Sequence, residues 1–157
     1  MGSYHRPVDV LDRVRQLLAD EHTAGLAAVT ADGMPWAANL YFALVPGPGL
    51  RLAVLTDPAS THAELWQQRS PVALTVFAHP DTPRDQVRGL QLRGLCQALD
   101  SAEVRAAYRS RFPDAPDTGG VQTYFVIDMH WARLVDRTAG IVEEVAVSPT
   151  AVQPGEP

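Results

Sequence analysis

The sequence predicts an α+β fold, mainly antiparallel β, in which a small barrel-like sheet is covered by peripheral helices. Two observations carry this. Five or six apolar or alternating runs of strand length follow one another along 157 residues, separated by Asp-Gly, Pro-Gly or polar turn signals. Helical periodicity enters at only three places, near the start, the middle and the later part of the chain, which disfavours a doubly wound parallel sheet. Closing such a sheet removes its exposed edges.

The elements follow in order. From Pro7 to Glu21, Val10, Leu11, Val14, Leu17 and Leu18 fall at helical spacing with charges on the opposite face, predicting an amphipathic helix. Gly25 to Thr30 and Pro35 to Val45 read as antiparallel strands joined at Ala31-Asp32-Gly33. After the Pro-Gly-Pro-Gly break at 46–49, Leu50 to Thr56 alternates as a third strand. Thr61 with Glu64 predicts a capping box opening a helix through Gln68. Val72 to Ala78 is a nearly continuous apolar strand, a polar loop covers His79 to Arg84, and Val87 to Leu99 is a long strand holding Gly89 and Gly94. Asp100 and Glu103 suggest another cap, for a helix carrying Val104, Ala107, Tyr108 and Phe112 and stopped by Pro113. Val121 to Val135 returns to strand character. One domain is expected over residues 1–146, with a Pro-rich tail at 147–157.

Composition removes several function classes. All 13 basic residues are arginine, and without lysine neither a pyridoxal-phosphate Schiff base nor a Walker A loop is available. A formal net charge of −5 with scattered arginines leaves no polybasic stripe, so neither nucleic acid nor a membrane surface is an expected partner. No apolar run of about 18 residues occurs and the first residues are charged, so a soluble, cytoplasmic protein is expected. The single cysteine, Cys96, suits a reducing compartment. The five histidines lack metal-motif spacing, and no Gly-x-Ser-x-Gly elbow is present.

Three segments carry candidate chemistry. In Leu50 to Leu65, LRLAVLTDPASTHAEL, a strand runs through a proline turn into a helix start, where the hydroxyls of Thr56, Ser60 and Thr61, the His62 imidazole and first-turn amides suit a phosphate. Ser and Thr at a helix start also serve as ordinary caps, and the local pattern does not separate the two. In Met34 to Leu44, Ala37 and Ala38 leave the backbone bare between aromatics. A planar ring fits there, against main-chain groups at Asn39, Leu40 and Tyr41, although a half-buried strand gives the same pattern. In GLQLRG, residues 89–94, Gln91 and Arg93 share one strand face, available either to a ring edge or to solvent. Trp131 is open to the same two readings, core or cofactor cover.

In this order, LAAVTADGMPWAANLYFAL, LTDPASTHAELW, RSPVALTV, GLQLRG, a helix ending RFP and a last strand with RLVD, the chain resembles the FMN-binding split-barrel family that includes pyridoxamine 5'-phosphate oxidase, over roughly residues 8 to 137. The resemblance implies a six-stranded split barrel, a homodimer, and FMN in the groove between protomers. It further implies that Thr56, Ser60, Thr61 and His62 form the phosphate turn and that Asn39, Leu40 and Tyr41 back the flavin ring. Gln91 would contact the ring, with Trp131 as a flavin-proximal aromatic. His62 stands in the phosphate turn, where better-known members often use basic side chains, lysine included. The arginine-rich substrate site of pyridoxamine phosphate oxidase is not recognisable, so the resemblance implies a cofactor and leaves the substrate open. Three readings remain: an FMN-dependent oxidoreductase acting on a small molecule, a non-catalytic flavin- or haem-binding module, and a cofactor-free split-barrel dimer.

Overall fold

The computed structural model describes residues 9–78, 81, 83–115 and 121–148. Pro7, parts of the 79–84 loop, residues 116–120 of the loop after the last helix, and the tail beyond 148 lie outside the described residues. Helix α1, Val10–Asp20, starts where the Asp9 carboxylate accepts from the Leu11 N–H, and it buries Val14, Leu17 and Leu18. Its last turn is closed from a distance: Arg111 donates to the carbonyls of Ala19, Asp20 and Glu21, satisfying oxygens that a helix end otherwise leaves orphaned.

The strands are β1 Thr23–Val29, β2 Pro35–Tyr41, β3 Ala43–Val45, β4 Arg51–Thr56, β5 Pro71–Ala78, β6 Arg88–Ala98, β7 Thr123–Asp136 and β8 Ile141–Ala146; helix α2, Thr61–Gln68, lies between β4 and β5, and α3, Ala102–Arg111, between β6 and β7. The sheet order is β2-β1-β5-β6-β7-β4-β3, with β8 also on β7, and neighbours run antiparallel. The sheet curls into a split barrel with helices at its periphery, the α+β class expected from sequence.

The strand count is eight rather than six. The run from Pro35 to Val45 is interrupted at Phe42, which is fully buried and donates its N–H back to the His22 carbonyl. The chain also returns after Gly140, in a positive-φ turn, as β8 along the second half of β7. Val147, at the expected start of the tail, packs into the core and donates to the His130 carbonyl. Two caps are displaced by one residue. Ser60, not Thr61, caps α2 by accepting from Ala63, and Ser101, not Asp100, caps α3 by accepting from Val104. The residue just before the first helical turn has the extended backbone that lets its hydroxyl reach back to a first-turn amide; Asp100 instead pairs with Arg105.

Alternation along the strands decides what is inside. Leu26, Leu74, Leu90, Leu92 and Leu134 point into the barrel and, with Trp66 from α2, form its core; each such burial contributes about 1.5–3 kcal/mol. A second cluster seats Val104 and Tyr108 of α3 on Ala53, Tyr124 and Val126. The register of β6 on β7 slips between Arg93, opposite Trp131, and Gly94, opposite Met129, so His130 bulges from the ladder. Among the described residues no helix is long and apolar enough to cross a membrane.

Candidate functional site

Three of the four residues expected at the phosphate turn come together. Thr56 ends β4, Ser60 caps α2 and His62 lies in its first turn. The Thr56 Oγ1 to His62 Nε2 distance is 2.8 Å, Ser60 Oγ lies 3.0 Å from the same nitrogen, and the two hydroxyls are 3.5 Å apart. The turn holds this shape through Asp57, whose carboxylate accepts from the Ala59 N–H and whose carbonyl accepts from the Ser60 hydroxyl. The His62 ring sits 5.0 Å from that of buried Trp66, which fixes its position. Burial of the imidazole pushes its pKa below the ordinary 6.5, since a partly desolvated ring resists charging. Thr61 is different: it is exposed, and among the described residues no hydrogen bond ties its hydroxyl to the cluster.

Gln91 and Trp131 meet elsewhere, on the outer face of the sheet. Here a cleft of about 460 Å³ crosses β2, β1, β5, β6 and β7. Register explains it. Ala37, Ala27, Ala73, Arg93 and Trp131 are successive partners across five strands, and the adjacent row runs Asn39, Gly25, Thr75, Gln91, Arg133. Residues paired in this way share a face, so the first row gives a floor of methyl groups ending on an indole, and the second gives a line of amide, hydroxyl and guanidinium groups. At Gly25 a side chain would fill the space within the second row: a Cβ there would lie 3.1 Å from Thr75 Oγ1 and 3.7 Å from Asn39 Oδ1.

Asn39 thus borders the cleft through its neighbour Gly25. Leu40 is half-buried against the barrel core. Tyr41 turns aside, stacking on His22 with ring centroids 6.3 Å apart and meeting Phe112 edge-on at 5.6 Å. None of Thr56, Ser60, Thr61 and His62 lines the cleft, so one chain carries a hydroxyl–imidazole cluster and a flat apolar cleft as separate features. Sequence reasoning missed Gly25 and Thr75, which face the cleft only because β1 and β5 are neighbours. The outward alternation of Ala73, Thr75 and Phe77 was the available signal, masked by the apolarity of the β5 run.

Strand order, peripheral helices and these two features define a split-barrel protein. Residues 10–136 match the pyridoxamine 5'-phosphate oxidase family, and the chain belongs to that family. It is 33% identical over 111 residues to the UPF0306 protein YhbP of Salmonella schwarzengrund (strain CVM19633), an alignment covering 69% of this chain and 74% of that protein. Among solved structures, a haem-binding protein from Mycobacterium smegmatis superposes with a TM-score of 0.70 at 16% identity, covering 88% of this chain and 58% of that one, little more than half its length. HutZ, a haem storage protein from Vibrio cholerae, superposes with a TM-score of 0.64 at 16% identity over 75% of this chain and 88% of that one. At such identities the superpositions establish the fold.

Proposed function

We propose that this protein binds FMN and acts as a flavin-dependent oxidoreductase on a small molecule, as a homodimer with the cofactor groove between protomers. The observation that carries the reading is the convergence of Thr56, Ser60 and His62 at the start of α2. Two hydroxyls, an imidazole and the positive end of a helix are a donor set suited to a phosphate. The cleft supplies the complementary half: an alanine floor, the Trp131 wall, and Gln91 as a hydrogen-bonding group for a ring edge.

When bound, FMN supplies hydride or electron transfer through its ring. The chain's own residues orient it and keep water from its apolar face. Thr56 and Ser60 donate to phosphate oxygens once those replace His62 as their partner, and His62 carries a proton at Nε2 toward the dianion. Gln91 selects ring orientation. The cluster and the cleft are separate on one chain, which supports a groove completed by a second copy. Four large apolar side chains on the outer face, Phe77 and Val142 on one side of the cleft and Val29 and Leu95 on the other, are each at least 45% exposed, and exposed apolar side chains flanking a cleft suit a protein interface.

A haem-binding module is the second reading, supported by the Mycobacterium and Vibrio proteins of the same fold. The cleft fits it less well, because its lining holds no histidine, cysteine, methionine or tyrosine to ligate iron. An absorbance titration with FMN, riboflavin and haemin tests both. FMN binding at least about tenfold tighter than riboflavin is expected, since riboflavin lacks the phosphate and its charge-assisted hydrogen bonds. Haemin binding without flavin binding establishes the second reading, and no binding by any of them overturns both.

A further inference from the structure

The cleft carries one cation, Arg93, whose described partner is an aromatic ring rather than a carboxylate. Arg93 projects from the outer face of β6 with its guanidinium carbon 4.2 Å from the centroid of the Trp131 ring. Among the described residues no carboxylate pairs with it, and no carbonyl accepts from it. Its own row across the sheet, Ala73, Trp131 and then Ala146, is uncharged. In the next row Glu144 lies beside another arginine, its Oε1 3.9 Å from Arg133 Nε. Gln91 and Thr75, beside Arg93 on that face, likewise have no side-chain hydrogen bond among the described residues.

A guanidinium resting on an indole keeps its charge, because it is weakly hydrated and its in-plane donors stay available. Those donors form a fork that matches a carboxylate in bidentate fashion. The alanine floor beside it accepts a flat ring and offers nothing to a polar one. A cation at the edge of an apolar shelf therefore recognises a molecule that is flat at one end and anionic at the other.

We infer that the small molecule entering the cleft is a planar aromatic carboxylate, its ring stacked on the flavin face turned away from the Ala27, Ala37 and Ala73 floor and its carboxylate held by Arg93 at the edge of the cleft. This rests on the reading of the cleft as the flavin groove and names the class of molecule that meets the flavin there. Arg93 is the specificity-determining residue in this arrangement, distinct from the phosphate-holding cluster at His62.

Calorimetric titration of the full chain with 2-naphthoate and 2-naphthamide, isosteric rings differing in charge, tests the inference with and without saturating FMN. The carboxylate is expected to bind at least about tenfold tighter than the amide, the scale of a hydrogen bond between charged groups. Arg93→Gln is expected to bring the two within about twofold, and Arg93→Lys, which keeps the charge but loses the fork, to fall between. Equal affinities in the wild type, or a preference that survives Arg93→Gln, overturn the proposal. Light scattering on the same samples shows whether Arg93 instead joins two copies: a variant that becomes monomeric with its carboxylate preference intact assigns the residue to the interface and overturns it too. If Arg93→Gln does not fold, loss of the wild-type preference in high salt supports the charge, and a salt-independent preference refutes it. FMN titration separates the two readings. Naphthoate preference without flavin binding removes the flavin and leaves the anion site standing; flavin binding without preference does the reverse.

Discussion

Across the turn from β4 to α2, the Thr56 hydroxyl and the His62 Nε2 lie 2.8 Å apart, and Ser60 shares the same nitrogen at 3.0 Å. Three groups able to bind an anion therefore satisfy one another. An incoming phosphate exchanges these contacts for charge-assisted ones, so its net contribution is smaller than the sum of new hydrogen bonds.

Thr56→Val and His62→Ala are each expected to weaken FMN binding by about 1–3 kcal/mol. Riboflavin binding is expected to change little in either variant, because it has no phosphate. Flavin fluorescence titrations of the two ligands against each variant give the answer. Equal losses for both place the residues at the ring instead.

A pH dependence follows from the same histidine. Burial holds the His62 pKa below 6.5 in the free protein, and a neighbouring phosphate dianion raises it. Binding then takes up a proton between these two values, so FMN affinity declines as pH rises from the depressed free value, below 6.5, through the higher bound one. His62→Ala is expected to flatten the profile, which repeated titrations across that range reveal.

The free protein carries the opposite linkage for folding. A histidine whose folded pKa is depressed binds fewer protons folded than unfolded, so its contribution is present above 6.5 and is lost as pH falls below that value toward the folded pKa. Denaturant midpoints without flavin should fall over that acidic window in the wild type, and less in His62→Ala.

Gly94→Ala tests the bulge between β6 and β7. A Cβ at this position would lie 2.5 Å from the Asp128 carbonyl oxygen, with backbone rather than a movable side chain as the obstacle. A loss of about 1–3 kcal/mol is expected, visible as a lower melting temperature. Gly33→Ala meets nothing within 4 Å, but its φ of +88° is one that alanine adopts at a cost of about 1–2 kcal/mol.

Much of this fold was legible because local rules and tertiary packing agree. Leu90 and Leu92 alternate with Gln91 and Arg93, and the strand lies with its leucines inward. β8 was not legible: Glu143 and Glu144 sit side by side in Ile-Val-Glu-Glu-Val-Ala and break the alternation, and the strand is held by pairing along β7. Phe42 escaped for the converse reason, since the unbroken apolar and aromatic run from Leu40 to Val45 hides a residue that leaves the ladder. At the candidate site, Thr56, Ser60 and His62 fall within seven residues and their proximity is a local matter. The cleft is assembled by register among five strands, and no single segment announces it.

The proposed dimer uses the outer sheet face as its interface. Phe77 is 51% and Leu95 47% exposed, so Phe77→Asp combined with Leu95→Asp is expected to convert a dimer into monomers, with FMN affinity falling as the groove is lost. Light scattering during size-exclusion chromatography reports the mass. A dimer that survives both substitutions places the interface on another face.

Cys96 is expected to be inert in the native state. It is buried inside the barrel, and burial pushes its thiol pKa up to about 12, leaving almost no thiolate at neutral pH. Iodoacetamide should label it only after denaturation. Labelling of native protein at the rate of the unfolded chain contradicts the packing described.

β4 gains its inner neighbour only when β7 arrives, Arg51 pairing with Asp128 and Thr56 with Thr123. On the ribosome, the short β3–β4 hairpin therefore emerges long before the strand that covers it, exposing an apolar edge open to mispairing. The barrel closes only once β7 has been made. Truncation before β7 should give insoluble chains rather than a smaller folded core, and slow translation between β4 and β7 would lengthen the vulnerable interval.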